Sequence, residues 1–357
     1  MNRPLLFLPL LGALAAGALS LPARAWDAEG HRIVNQLALA SLPSDFPAFV
    51  RTPANAERIA FLAPEPDRWS HALDLPLKHD NWMDHYCDFE QIPAAGLDLE
   101  HLPSFRYEFA AEFAAGRAAH PENFPPIDPA KNLDHTREWP GFLPWTITEY
   151  YDRLKAAFSS LKVYREAGTA DEVANAEADV VYLMGVMGHY VGDGAQPLHL
   201  TVQHNGWVGP DPGGYTTWTG FHSWIDGGFI AKAHIQTADA LGRITPARPL
   251  SLAPPADGRD AVFVAVMDYL LEGSKLVVPL YELEKAGKLN DEQEKSGKFG
   301  QDHGPVNPEA RAFILQQLGK GGQMLGALWL TAWRSAPPDS FLRSQLLRRQ
   351  AAAAKTP

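Results

Sequence analysis

Apolar residues recur at the three- and four-residue spacing of an amphipathic helix over most of the chain. Alternation of apolar and polar residues, which is typical of strands, is scarce. The helical pattern covers residues 27–42, 105–119, 150–167, 176–190, 260–288 and 310–333. No internal repeat is evident in the sequence, and no linker divides it. The pattern therefore predicts an all-α fold, a single domain whose helices pack around one core.

Segments rich in polar residues, glycine or proline interrupt this pattern. Residues 91–145 are rich in proline and charge, and we interpret them as an insertion that forms a lid or rim. Residues 204–220 combine glycine with aromatic side chains, and residues 289–308 are polar and loop-like. The basic tail, 337–357, is expected to form a solvated peripheral helix. The main domain is thus assigned to residues 26–336.

The first 25 residues have the pattern of an export signal. Arg3 places a positive charge near the N-terminus, and an apolar run follows from Leu5 to Leu21. The sequence Ala-Arg-Ala then matches a signal-peptidase cleavage site. The apolar run is short for an uncleaved membrane anchor, which is the alternative. We expect cleavage after Ala25 and a secreted or periplasmic protein that begins at Trp26. The freed α-amine, with a pKa near 8, can then serve as a nitrogen ligand.

The composition is that of an acidic globular protein. Hydrophobic residues make up 46% and charged residues 20% of the 357 residues, which excludes a disordered or collagen-like chain. Lys and Arg number 31, whereas Asp and Glu number 42. This excess of acidic residues excludes nucleic-acid binding through a generally basic surface. The single cysteine, Cys87, excludes an intramolecular disulfide and a cysteine-rich zinc module. Phosphate chemistry would therefore need a metal ion, and the 13 histidines point to imidazole ligands.

Two pairs of histidine and aspartate share the spacing of one helical turn. His189 and Asp193 lie in GHYVGDGAQPLH, and His222 and Asp226 repeat the spacing in FHSWIDGG. Residues at i and i+4 project from one face of a helix, so each pair can share a cation. A proline turn is expected to fold His199 back toward the first pair. Imidazole and carboxylate without thiolate suit zinc at a hydrolytic site. The alternative is that both pairs are structural salt bridges.

Three further candidates precede these pairs in the chain. His31 follows Trp26 closely in WDAEGH. Asp67, in APEPDRW, is either a metal ligand or a helix-cap residue. His85, in NWMDHYCDFE, is an equally open candidate. Cys87, two residues later, is expected to pack inward rather than to bind metal.

Taken in order, these motifs closely resemble those of the trinuclear-zinc nuclease family. That family comprises single-strand-specific nucleases and 3′-nucleotidases and is related to zinc phospholipase C. The resemblance runs from Trp26 to about Gly228 in scattered motifs, and its most specific part is GHYVGDGAQPLHL followed by FHSWIDGG. Two features favour the nuclease branch over the phospholipase branch. They are the spacing between His199 and His222 and the presence of aspartate, not glutamate, at position 226.

The resemblance implies an all-α fold with three zinc ions. The ligand sets that it implies are Asp67, His85, His189 and Asp193 for one zinc; His199, His222 and Asp226 for a second, more open zinc; and the Trp26 amine and carbonyl, His31 and Asp193 for the third. In this family the metals clamp the phosphate and acidify a bridging water that attacks phosphorus. The aspartate that matches Asp67 orients this water, which makes Asp67 the catalytic candidate.

The resemblance also nominates substrate contacts, and the chain departs from the family pattern at two of them. Tyr86 follows His85 at the position where the family stacks a base. The basic residue that contacts phosphate in the family falls at Ser70 here, so Arg68 is the candidate replacement unless its role is structural. Tyr215 stands where family members usually carry asparagine after two glycines, beside the expected cleft.

The leading hypothesis is a zinc-dependent phosphodiesterase that cleaves single-stranded RNA or DNA to 5′-nucleotides and has 3′-nucleotidase activity. Its partner would be a single-stranded nucleic acid or a nucleotide, and no stable protein partner is predicted. One alternative is a zinc phospholipase C whose 204–220 segment meets a membrane surface. The other is a non-enzymatic zinc-binding protein with a closed, structural site.

Overall fold

The computed structural model describes residues 26–296 and 305–354, and no strand occurs among them. These residues pack as one helical domain, which confirms the predicted fold class. The expected export signal and its cleavage site lie outside the described residues. Within the described part, no helix combines the length and the apolar character that a membrane span requires.

The first half of the domain ends with two long helices that cross its centre. The helices of this half are α1 (Ala28–Ser41), α2 (Pro53–Leu62), α3 (Glu65–Ser70), α4 (Leu75–Trp82), α5 (Gln91–Ala94), α6 (Arg106–Ala119), α7 (Leu143–Ala167) and α8 (Ala170–Asp193). Local signals place several of these ends. Asp27 caps α1 by accepting hydrogen bonds from the backbone amides of Glu29 and Gly30. Thr169 and Glu172 form a capping box at the start of α8.

The second half begins with short turns and ends with one long helix. Its helices are α9 (Phe221–Ser223), α10 (Phe229–Lys232), α11 (Thr237–Ala240), α12 (Ala261–Ser274), α13 (Val277–Lys285), α14 (Glu292–Lys295), α15 (Pro308–Ser335) and α16 (Ser340–Ala353). A π-helical turn over Trp224–Gly228 joins α9 to α10, and a 3₁₀ turn over Pro197–Leu200 follows α8.

The apolar stripe over 260–288 forms two helices instead of the single helix that its periodicity suggests. α12 ends at Ser274, and α13 begins at Val277. Pro279 explains the break, because a proline inside a continuous helix has no amide hydrogen and its ring clashes with the carbonyl four residues earlier.

Four helices form the centre of the domain. α1 packs along α15 and also contacts α8, while α7 packs along α8. Gly188 permits the close approach of α1 to α8, since a Cβ atom there would lie 1.6 Å from the Asn35 Oδ1 atom. The Asn35 amide in turn donates to the carbonyls of Ile59 and Gly185, at 2.9 and 3.0 Å, and so joins α1, α2 and α8.

The 91–145 segment is packed into the core through its aromatic residues. Phe109 and Phe113, on α6, are completely buried. The Phe109 ring stacks on Trp145 of α7, with 4.0 Å between ring centroids. Burial of these rings gives the segment a fixed position against α7.

Arg106 fixes the start of α6 against α7 and the 3₁₀ turn that follows α4. Its guanidinium donates to Asp84 at 2.6 Å, to Glu149 at 2.9 Å and to the Thr146 hydroxyl at 2.7 Å. Burial raises the pKa of Asp84 to about 6, and Arg106 opposes this shift. The largely buried carboxylate therefore depends on its arginine partner.

Replacing Arg106 with methionine is expected to lower the free energy of unfolding by about 3 kcal/mol, because Asp84 would be left as an unpaired buried charge. Urea denaturation measures the change. The double variant R106M/D84N should recover part of the lost free energy of unfolding, because it removes the unpaired charge of Asp84. Equal stability of R106M and the unmodified protein would show that this ion pair does not hold α6 in place.

The basic tail begins with a helix that lies on the surface of α7. Leu346 of α16 is buried beside Val163 and Ala167. Arg343 pairs with Glu166, and Arg349 donates to Glu172 at 2.6 and 2.8 Å. These basic side chains are therefore engaged by carboxylates of the domain itself.

Candidate metal centre

The last turn of α8 supplies two of the predicted ligands. His189 and Asp193 are completely buried, and 3.4 Å separates the His189 Nε2 atom from the Asp193 Oδ2 atom. The predicted i, i+4 arrangement is thus present on this helix.

The segment between α3 and α5 brings two more predicted ligands to the end of α8. His85 lies in a 3₁₀ turn after α4, and its Nδ1 atom is 2.9 Å from His189 Nε2 and 3.3 Å from Asp193 Oδ2. The Asp67 Oδ1 atom lies 4.0 Å from His85 Nδ1 and 3.8 Å from His189 Nε2. Two imidazoles and two carboxylates therefore lie close together.

A second group forms where the turn after α8 meets the α9 region. His199 comes from the 3₁₀ turn, His222 from α9 and Asp226 from the π-helical turn. The Nε2 atoms of the two histidines are 3.0 Å apart, and His222 Nε2 is 3.2 Å from Asp226 Oδ2. π-Helical turns are rare and occur often at functional sites.

His31, on α1, extends the first group on its other side. Its Nε2 atom is 3.4 Å from Asp193 Oδ1, and its ring stacks on His189 with 3.9 Å between centroids. Gly192 makes room for it, because a Cβ atom there would lie 2.9 Å from His31 Nδ1. Asp193 thus lies between His31 on one oxygen and the His85 and His189 pair on the other.

Trp26 is held beside both groups by backbone contacts. Its indole is completely buried and donates to the Gly192 carbonyl at 2.9 Å. The amide of Asp27 donates to the Asp226 carbonyl at 3.1 Å. The chain at Trp26 therefore runs between the end of α8 and the π-helical turn.

Hydrogen bonds to carbonyl groups orient two of the histidines. The Nδ1 atom of His189 lies 2.9 Å from the Ala63 carbonyl oxygen, and that of His199 lies 2.7 Å from the His85 carbonyl oxygen. These contacts assign the ring protons to Nδ1 and leave each Nε2 lone pair directed into its group, as in histidine metal sites. The His85–His199 contact also links the two groups directly.

Several buried polar atoms of the centre have no hydrogen-bond partner. They include both carboxylate oxygens of Asp193, both ring nitrogens of His31 and the Oδ2 atom of Asp226. Buried groups of this kind normally have partners, because leaving them unsatisfied costs about 1–3 kcal/mol each. Metal ions would satisfy them, and nitrogen and oxygen donors without thiolate suit zinc. The donor set and its buried, unsatisfied atoms therefore fit a metal centre.

Burial sets the protonation of these groups. It lowers the pKa of His85 to about 3 and that of His199 to about 4, and it lowers the pKa values of His31, His189 and His222 well below the ordinary value. Neutral imidazoles keep the lone pairs that metal binding needs. Burial raises the pKa of Asp193, as do the nearby carboxylates of Asp67 and Asp226. Close packing of carboxylates is unfavourable without cations.

The three predicted substrate residues lie in different surroundings. Tyr86 is half-buried and follows His85 directly in the chain. Arg68 is partly exposed, pairs with Glu65 and lies 4.2 Å from the Phe61 ring centroid. These contacts join Arg68 to Glu65 on α3 and to Phe61 on α2.

Tyr215 is engaged by α13. Its hydroxyl donates to Glu282 at 2.6 Å, and its ring lies 5.4 Å from that of Tyr281 and 4.7 Å from that of Trp207. The aromatic side chains of the 204–220 segment thus pack against the domain.

Two residues that support the centre were missed by the sequence analysis. The Gln196 amide donates to Asp226 Oδ1 at 2.7 Å, while its carbonyl oxygen accepts from the Leu198 amide. The Asn81 amide lies 3.2 Å from His85 Nε2. Two signals could have identified them. Gln196 lies within the GDGAQPLH motif, and Asn81 lies one helical turn before His85. Cys87, by contrast, is buried as predicted.

The variant Q196M is expected to weaken metal binding at the His199, His222 and Asp226 group by about 10- to 100-fold, because Asp226 loses the bond that orients it. Titration with a competing chelator measures the affinity. Q350M, on the exposed face of α16, is the matched control and should bind metal normally. Unchanged affinity in Q196M would exclude this positioning role.

No protein-family model, curated protein or solved structure matches this chain.

Proposed function

We propose that the protein is a zinc-dependent phosphodiesterase that cleaves single-stranded RNA or DNA to 5′-nucleotides and also removes 3′-phosphates. The observation that carries the proposal is the convergence of five histidines and three aspartates on one buried centre. These residues are His31, Asp67, His85, His189, Asp193, His199, His222 and Asp226. Their order and spacing are those that resemble the trinuclear-zinc nucleases.

Charge supports a phosphate substrate only if metals are bound. The chain has a formal charge of −11, so its own surface would repel a polyanion. Bound zinc ions would supply local positive charge, polarise the phosphoryl oxygens and lower the pKa of an attacking water. Strand binding would then be confined to the centre instead of spreading over a basic surface.

Asp67 is the carboxylate best placed to act on the attacking water. Its side chain is 12% exposed, whereas those of Asp193 and Asp226 are 0% and 1% exposed. Solvent therefore reaches the centre beside Asp67, and also beside His85, whose side chain is 9% exposed. In this position Asp67 would accept a hydrogen bond from the water and orient it, while the buried aspartates hold the metals.

The burial of the centre favours single strands. A phosphate must approach the exposed edge of a largely buried centre, which a flexible strand does more readily than a rigid duplex. Tyr86, next to His85, would stack a base there, and such stacking contributes about 1–3 kcal/mol per base.

The two alternatives have less support. A phospholipase would be expected to present the aromatic residues of segment 204–220 to a membrane, but Trp207 and Tyr215 pack on Tyr281. A purely structural zinc site would be closed, whereas Asp67 and His85 retain exposed edges.

The test uses the zinc-loaded mature protein with three substrates of equal concentration. These are a single-stranded oligonucleotide, its duplex and a soluble choline phosphodiester. We expect cleavage of the single strand at least about 100-fold faster than of the duplex, abolition by a chelator and recovery with zinc. Equal cleavage of duplex, or preference for the choline ester, would contradict the proposal.

A further inference from the structure

A groove of about 440 Å³ lies beside the metal centre, between α3, α4, α7, α8 and the start of α6. Its volume is in the range of small-molecule binding sites. We call it the side groove, and the lining residues that matter here are Trp69, Leu77, Asn81, Tyr107, Tyr150 and Tyr190. None of its lining residues belongs to the histidine and aspartate groups described above.

The floor of the side groove touches the metal centre. Asn81 and Tyr190 are buried, at 3% and 1% exposure. The Asn81 amide lies 3.2 Å from His85 Nε2, and the Tyr190 ring centroid lies 5.8 Å from that of His85. A ligand in the groove would therefore be separated from His85 by a single layer of side chains.

The walls of the side groove combine aromatic side chains with charged ones. Trp69 and Tyr150 are half-buried, and the Tyr150 and Tyr190 rings lie 5.2 Å apart. Tyr107, at 86% exposure, stands at the rim with little of its surface covered, and Leu77, at 37%, is partly exposed beside it. Aromatic side chains that are only partly covered favour a planar ligand that stacks on their rings.

The charges of the side groove largely cancel one another. Arg106 pairs with Asp84 and Glu149, at 2.6 and 2.9 Å, and Arg153 lies 3.7 Å from Glu149. Asp80 adds one exposed carboxylate at the rim. Three carboxylates against two guanidinium groups do not favour a phosphate.

A quaternary ammonium group is disfavoured for a different reason. Arg153 lies 4.9 Å from the Tyr150 ring centroid and so occupies the ring that such a cation would use. An uncharged, planar ligand with hydrogen-bonding edges fits both the walls and the polar groups around them.

We infer that the side groove binds a nucleobase of the same strand whose phosphate lies at the metal centre. This inference rests on the proposed function and adds a second base-binding position to it, apart from Tyr86. Tyr107 and Leu77 would cover the base, and the amide and carboxylate groups would contact its edge. The groove would raise the affinity for longer strands without taking part in bond cleavage.

The test compares the zinc-loaded mature protein with Y107A and with F341A. Phe341, on α16, is a control of similar type because it is also an exposed aromatic residue, at 69% exposure. Y107A removes an exposed side chain, so its fold should be retained. Adenosine binding is measured by calorimetry, and KM and kcat are measured on a single-stranded oligonucleotide. Choline and inorganic phosphate are tested as competing ligands.

We expect adenosine to bind Y107A at least about 5-fold more weakly than it binds the other two proteins. KM for the oligonucleotide should rise to a similar extent, with kcat unchanged. Equal adenosine affinity in all three proteins, or displacement of adenosine by choline or phosphate, would overturn the inference. If no protein cleaves the strand but adenosine binding still depends on Tyr107, base recognition stands and the nuclease proposal fails.

Discussion

The variant D193N is expected to lose metal from two of the ligand groups and to lower phosphodiester hydrolysis by about 1,000-fold or more. The resemblance implies that Asp193 is a ligand in two sets, the set of His85 and His189 and the set of His31. One of its oxygens lies 3.4 Å from His31 Nε2, and the other lies 3.3 Å from His85 Nδ1. Asparagine keeps the shape of the side chain but removes the negative charge and one acceptor oxygen. Elemental analysis of the purified protein and steady-state rates measure the two effects.

The metal-free form of D193N should behave differently. Burial and the carboxylates of Asp67 and Asp226 raise the pKa of Asp193, so the charged form is unfavourable when no cation is present. We therefore expect metal-free D193N to be at least as stable at pH 7 as the metal-free unmodified protein. D88N is the matched control, because Asp88 is a buried aspartate outside the ligand groups. Normal metal content in D193N would refute the shared-ligand assignment.

A protein with extra residues before Trp26 is expected to bind two metal ions instead of three and to lose about 100-fold in rate. The extension would turn the α-amine into an amide nitrogen, which is a far poorer ligand. Trp26 itself should stay in place, because its indole bonds to the Gly192 carbonyl and the Asp27 amide bonds to the Asp226 carbonyl. Metal analysis and rates on a single-stranded substrate measure the result.

The control for this experiment is removal of the extension by a specific protease that leaves Trp26 at the N-terminus. The cleaved protein should regain the third metal and its activity when zinc is added. An extended protein that retains three metals would show that the N-terminal amine is not a ligand.

Much of the fold was predictable because its signals are local. The helical periodicity over 27–42 placed α1 to within one residue of Ala28–Ser41. The apolar stripe over 260–288 suggested one helix where the structure has two, because the periodicity of apolar residues does not include the effect of Pro279. The i, i+4 pair of His189 and Asp193 was also predictable, because helix geometry fixes that spacing.

The support of the centre was less predictable, because it depends on contacts between distant parts of the chain. Gln196 reaches Asp226 across 30 positions, and His199 reaches the His85 carbonyl across 114. No local pattern specifies such contacts. The contacts of Arg68 with Glu65 and Phe61 likewise became visible only in the structure.

The sequence by itself determined the helical class, the acidic charge and the choice of imidazole and carboxylate as the chemical groups of the site, since all three depend on residue type and local spacing. Only the tertiary structure decided that His31 lies on His189, that Asp193 lies between His31 and His85, and that a groove whose charges largely cancel adjoins His85. The physical reason is that these relations depend on how α1, α4 and α8 pack, which the whole core determines.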